Sequence, residues 1–156
     1  MYAKGDKIVY PLYGAGVIED IEKKEIDGEL QIYYVLTIPV GNLKIMISAA
    51  KAESLHVRYI HSCDEIRGLI SCAAEIEMPD NWNQRYKENM ERMKTGELPQ
   101  VALVFFNLLL RERERGLSTA EKKMMTTTKQ IILSELILSL DIDKDAAEQF
   151  LDDTFK

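Results

Sequence analysis

Apolar residues change their spacing near Val57. Before it they come in short runs separated by turn residues, and after it they recur at intervals of three and four. The first pattern reads as strands. Gly5-Asp6 turns into Lys7–Tyr10, and after Pro11 the glycines Gly14 and Gly16 bracket a bend or bulge before Val17–Ile21. Asp27-Gly28 is a two-residue hairpin signal, because a type I′ turn needs positive φ at both central residues, and it joins Glu19–Glu25 to Leu30–Ile38. Pro39 stops that strand. Gly41-Asn42 turns the chain into Leu43–Ile47, and Ser54–Val57 supplies a fifth short strand. Five short, bent strands predict a small Tudor/SH3-like β barrel over residues 1–57.

The second pattern predicts an all-α domain of about five helices over 58–156, so the chain as a whole is of α+β class. Ser62 or Asp64 caps a first helix through about Glu75, whose apolar positions Ile66, Leu69, Ile70 and Ala73 fall on one stripe. Pro79, Asp80 and Asn81 are turn and N-cap residues that open a second helix at Trp82, which closes before Gly96. Pro99 suits the first turn of a third helix ending at Gly116. Ser118-Thr-Ala-Glu121 is a capping box for a fourth, reaching Leu140, and Asp141 or Asp143 caps a short fifth. Val101, Val104, Leu108, Ile131, Leu133 and Leu136 supply the core.

At 156 residues and 46% hydrophobic content, the chain can pack two small domains. Lys4, Asp6 and Lys7 interrupt any secretory h-region, and the longest apolar run, Val101–Leu110, is about half a membrane span. The expectation is a cytoplasmic protein. Cys63 and Cys72 read as reduced, mostly buried thiols. His56 and His61 have no further ligand at metal spacing, so no cofactor or metal is expected. The net charge of −6 is unevenly spread: Trp82–Lys129 holds ten Lys or Arg against six Asp or Glu, and Asp141–Lys156 holds six acids against two lysines. A basic middle between acidic ends fits a local phosphate contact, although composition alone favours ordinary solvated helices.

Trp82 is the only tryptophan, and it stands at a helix start instead of inside an apolar stripe. Arg85 and Tyr86 share its face at i+3 and i+4, with Lys87, Arg92 and Lys94 nearby. Lys122 and Lys123 follow the capping box, where helix N–H groups and lysines together can grip a phosphate. An aromatic wedge flanked by cations is one way to hold a minor groove. A half-buried tryptophan packed between domains is the competing interpretation. Neither a nucleophile pattern nor a phosphate-binding loop appears, since Gly14-Ala-Gly16 lacks the third glycine and the helix of a dinucleotide site. An enzyme with a small-molecule substrate is not expected.

Three motifs add up to a family resemblance covering nearly the whole chain. Gly5–Ile18 (GDKIVYPLYGAGVI), Asn81–Asn89 (NWNQRYKEN) and Glu114–Lys122 (ERGLSTAEK) resemble the CarD/CdnL family of bacterial transcription regulators. The first is shared with the polymerase-interacting module of transcription-repair coupling factors; the second and third together are more specific. The resemblance implies a Tudor-like domain on the β-subunit lobe of RNA polymerase, with Lys24, Ile26 and Met46 on the polymerase side. It also implies a helical domain on promoter DNA at the upstream edge of the bubble, where Trp82 wedges into the minor groove without reading sequence and slows bubble collapse. Arg85, Lys87 and Lys122 are the implied backbone contacts, and Lys123 joins the expected site from its place after the capping box. Two positions depart from the pattern, Met46 and Gln84, where some relatives carry a basic residue. DNA contact is therefore expected to depend on tethering by the polymerase. The alternative is a protein–protein adaptor tethered to polymerase without touching DNA.

Overall fold

The computed structural model describes residues 1–156, with an antiparallel sheet followed by five helices. The strands are β1 (Lys7–Tyr10), β2 (Gly14–Ile26), β3 (Glu29–Ile38), β4 (Leu43–Ser48) and β5 (Arg58–Tyr59), in the order β4-β3-β2-β1-β5. Asp27 (φ 52°) and Gly28 (φ 80°) form the expected hairpin turn between β2 and β3. The register then assigns the faces. Ile18, Tyr34, Leu36 and Ile47 point inward with Ile8, Ile38, Ala52 and Val57, forming a closed small core. Lys24, Gln31, Tyr33, Val35 and Met46 alternate to the outer face. A bulge between Ile18 and Asp20 bends β2 so that its first half serves the core and its second half projects as a ribbon.

The fifth strand lies later than the spacing suggests. Ser54–Val57 is not extended, because His56 adopts φ 62° and the Val57 N–H donates back to Ala52 O, which makes a loop there. Arg58 and Tyr59 pair with Val9 and Ile8 instead.

The helices are α1 (Ile66–Ser71), α2 (Trp82–Lys94), α3 (Leu98–Arg115), α4 (Thr119–Leu140) and α5 (Lys144–Thr154). Asn81, Ser118 and Asp143 cap α2, α4 and α5 with side-chain oxygens that accept the N–H of Gln84, Glu121 and Ala146. Only α1 departs from expectation: it opens at Ile66 with no side-chain cap from Ser62 or Asp64, and it ends at Ser71 and not near Glu75. The reason for that early end lies on α3. Asn107, the polar break in the apolar run, is buried there; its amide donates to Ala74 O at 3.0 Å and its oxygen accepts from Ile76 N at 2.8 Å. Those bonds hold the following segment extended against α3, so the helix cannot continue. Cys63 and Cys72 flank α1 and are both exposed, contrary to the buried thiols expected. Their positions at a helix margin never reach the core.

The two domains are joined by buried polar bonds. Glu135, fully buried on α4, receives Arg58 through both guanidinium nitrogens at 2.8 and 3.0 Å and accepts the His61 N–H at 2.9 Å. Arg58 also donates to Gly96 O at 2.8 Å. One residue earlier on α4, Ser134 Oγ accepts the Ala15 N–H at 2.8 Å and donates to Ile131 O at 2.7 Å. The start of β2 thus lies directly on α4. Together these bonds tie β5, the residues after it and the start of β2 to α4 and to the turn after α2, fixing one domain against the other.

Candidate nucleic-acid interface

Trp82 occupies the first position of α2 and is 41% exposed. The cap by Asn81 fixes the backbone, and two side chains fix the ring. Tyr86, one turn along, stacks on the indole at 5.4 Å between centroids and 20° between planes. Ser118, at the start of α4, accepts the indole N–H at 3.0 Å. Both partners belong to the helical domain, so Trp82 is not packed between the domains.

Arg85 corrects the sequence expectation of an exposed backbone contact. Its side chain is 4% exposed and faces Glu121, 2% exposed, in a two-pronged ion pair at 2.7 and 3.1 Å. Nη1 donates to Pro79 O at 3.0 Å and to Asp80 O at 3.1 Å. At that burial the guanidinium is closed to a phosphate. The physical cause is the inward i+3 position on a helix whose other buried residues are Asn89 and Met93. Hydrogen bonds from Arg85 hold the Glu121 carboxyl below its ordinary value of 4.5, outweighing the opposing effect of burial. A carboxylate with a depressed folded value contributes stability that is complete above 4.5 and lost as pH falls through the folded value. Acid unfolding followed by circular dichroism should therefore steepen below pH 4.5 in the native protein and less so in Glu121→Gln, measured from each protein's own neutral baseline.

The other cations are arranged differently. Lys87, Lys122 and Lys123 are exposed and take part in no ion pair. Lys122 is four residues after Ser118 and leaves α4 on nearly the same side as the hydroxyl that holds the indole. Lys123 lines a shallow groove with Tyr86 and Met90, beside the stacked aromatic pair. Lys87, five residues after Trp82, emerges about 140° around α2 and lies with Gln84, Glu88 and Glu91. The structure thus brings together Trp82, Lys122 and Lys123, leaves Lys87 to one side and takes Arg85 inside.

On the barrel, Lys24 and Met46 meet across the outer face. Lys24 Nζ lies 3.6 Å from Met46 Sδ and 5.8 Å from the centre of the Tyr33 ring. Ile26, two residues beyond Lys24 on the same face, is exposed at the end of the hairpin. β4 is an edge strand, so this surface runs out to unpaired backbone.

A Bacillus subtilis (strain 168) protein named Putative transcription factor YdeB is 36% identical over 138 residues, which is 87% of this chain and 90% of that protein. Residues 70–152 match the family described as CarD, C-terminal domain, and residues 2–60 match CarD-like/TRCF RID domain. The chain belongs to the CarD family. As a CarD-family protein it is a member of a transcription factor family, and its five-stranded unit is a Tudor-like domain. No helix of this CarD-family protein is long and apolar enough to cross a membrane.

Two members of the site escape a reading of the sequence. Ser118 and Glu121 stand out there as a capping box, and half of that box forms, with Ser118 Oγ accepting the Glu121 N–H at 3.2 Å. The carboxylate, however, turns away to Arg85 and to the Ser118 hydroxyl at 3.1 Å. The available signal is charge: in a basic stretch, Glu121 is the one acid beside two lysines at a helix start.

Proposed function

We propose that this CarD-family protein regulates transcription by docking on RNA polymerase through the outer face of its barrel and touching promoter DNA with Trp82. The polymerase contact uses Lys24, Ile26 and Met46 on the β-subunit lobe, with the β4 edge available to extend a partner's sheet. The DNA contact lies in the minor groove at the upstream edge of the bubble. There the exposed rim of the indole inserts at a base step, and Lys122 and Lys123 engage the flanking phosphates. Lys87 serves a phosphate further round. Arg85, buried against Glu121, is left out of the contact. The effect is to slow collapse of the open complex, and no catalytic step is involved.

The observation that supports this reading best is the presentation of Trp82: half-exposed, held at its N–H edge by Ser118 and stacked from behind by Tyr86, with the unpaired Lys122 one turn along α4 from that serine and Lys123 in the groove beside Tyr86. Unstacking a base step costs a few kcal/mol, which a preset wedge and phosphate contacts offset together. Trp82→Ala is expected to shorten open-complex lifetime by about threefold to tenfold while leaving polymerase binding intact. The lifetime is read by challenging preformed complexes of polymerase and promoter with a competitor. An unchanged lifetime, with the variant bound to polymerase, overturns the wedge. A photocrosslinker at position 82 that captures only protein in the same complex would favour an adaptor instead.

A further inference from the structure

We infer that Ser118, Glu121 and Arg85 form a positioning circuit that sets the orientation and exposure of Trp82; its functional consequence rests on the reading of Trp82 given above. The bonds close a loop around a single carboxylate. Glu121 Oε1 accepts the Ser118 hydroxyl at 3.1 Å and Arg85 Nη2 at 3.1 Å, and Oε2 accepts Arg85 Nε at 2.7 Å. From Ser118 the path runs to the indole N–H at 3.0 Å. From Arg85 it runs to the carbonyls of Pro79 and Asp80, the residues that lead the chain into the Asn81 cap. One branch therefore grips the far edge of the ring and the other grips the backbone from which the ring departs.

A hydrogen bond to a serine on another helix restricts the indole only if that serine is itself held. The Ser118 hydroxyl has its proton directed to Glu121 and its oxygen engaged by Trp82 Nε1 and the Glu121 N–H. Glu121 is in turn oriented by the planar guanidinium, which admits one geometry for two parallel bonds. An ion pair that merely glued α2 to α4 would need neither Ser118 nor the two carbonyl bonds. The arrangement also commits the only N–H of the indole within the protein. What Trp82 offers outward is then hydrocarbon edge, suited to packing at a base step and unable to donate to the acceptors on the groove floor.

The sole tryptophan makes the circuit directly observable. In the full-length protein the single indole 1H–15N cross-peak and the acrylamide quenching of Trp82 fluorescence report its hydrogen bond and exposure without DNA or polymerase present. Ser118→Ala and Glu121→Gln should shift the cross-peak and raise quenching by about twofold. Ser118→Thr, which keeps the hydroxyl, should restore both. Arg85→Lys retains the charge but loses the fork, and should fall between. A purely structural pair would alter unfolding midpoints and leave the indole signals of the folded protein where they were; that result overturns the inference. So do equal shifts in Ser118→Ala and Ser118→Thr. If Glu121→Gln fails to fold, the two serine variants decide alone. In the open-complex assay Ser118→Ala should shorten the lifetime in the direction of Trp82→Ala. Indole signals that move while Trp82→Ala leaves the lifetime unchanged would uphold the circuit and overturn the wedge, so the two failures remain distinct.

Discussion

Arg58→Ala is expected to lower stability by about 3 kcal/mol, the low end for removing one partner of a buried ion pair. The loss falls on Glu135, which stays fully buried with only the His61 N–H as partner. Arg58 itself is 23% exposed, so water entering by its path compensates part of the lost bonds and keeps the cost from the upper end of the range. Folded domains hold only about 5–15 kcal/mol in total, and the change should be plain in the urea midpoint. The double variant Arg58→Ala/Glu135→Leu should recover much of the loss, since replacing both members of a buried pair is often neutral. It should not recover the fixed arrangement of the domains. Small-angle scattering would then show a broader molecule at near-native stability, whereas an unchanged profile would mean that apolar contacts alone align the domains.

Gly14→Ala acts at the same junction by a different route and should cost about 3 kcal/mol. Gly14 has φ 125°, a backbone that L side chains rarely adopt, and an added Cβ would lie 2.8 Å from Ser134 Oγ. The serine must move, and the Ala15 N–H then loses its acceptor inside the interface. Combining Gly14→Ala with Ser134→Ala separates the two contributions. The clash disappears in the double variant, but backbone strain and the orphaned N–H remain, so the expected recovery is small. Full recovery in the urea midpoint would show that steric overlap was the whole effect.

The elements were legible in the sequence wherever local chemistry decides them. Asp27-Gly28, the Asn81, Ser118 and Asp143 caps and the glycines after α2 and α3 act within four residues of themselves, and all lie where spacing puts them. What could not be read depends on partners distant in sequence. The early end of α1 is written in Asn107, the late fifth strand in its pairing with β1, and the burial of Arg85 in Glu121, 36 residues away. A charged residue at i+3 from a tryptophan looks the same from sequence whether it faces water or a carboxylate. Lys122 and Lys123 remained exposed because no acid is paired with them. The family motifs carried what periodicity could not, since they mark Trp82 without revealing how it is held.

The junction of barrel and helices also bears on what a tethered protein can sense. A flexible linker would let the indole sample a volume, and its action would fade gradually as the site moved away. Glu135 and Ser134 instead seat the start of β2 and Arg58 on one helix, and that helix begins beside Trp82. The molecule is then a caliper with one jaw on the barrel face and the other at the indole. For such an instrument the gap is a property of the fold, and if the indole meets DNA as proposed, a promoter whose fork opens one or two base pairs out of register would escape it.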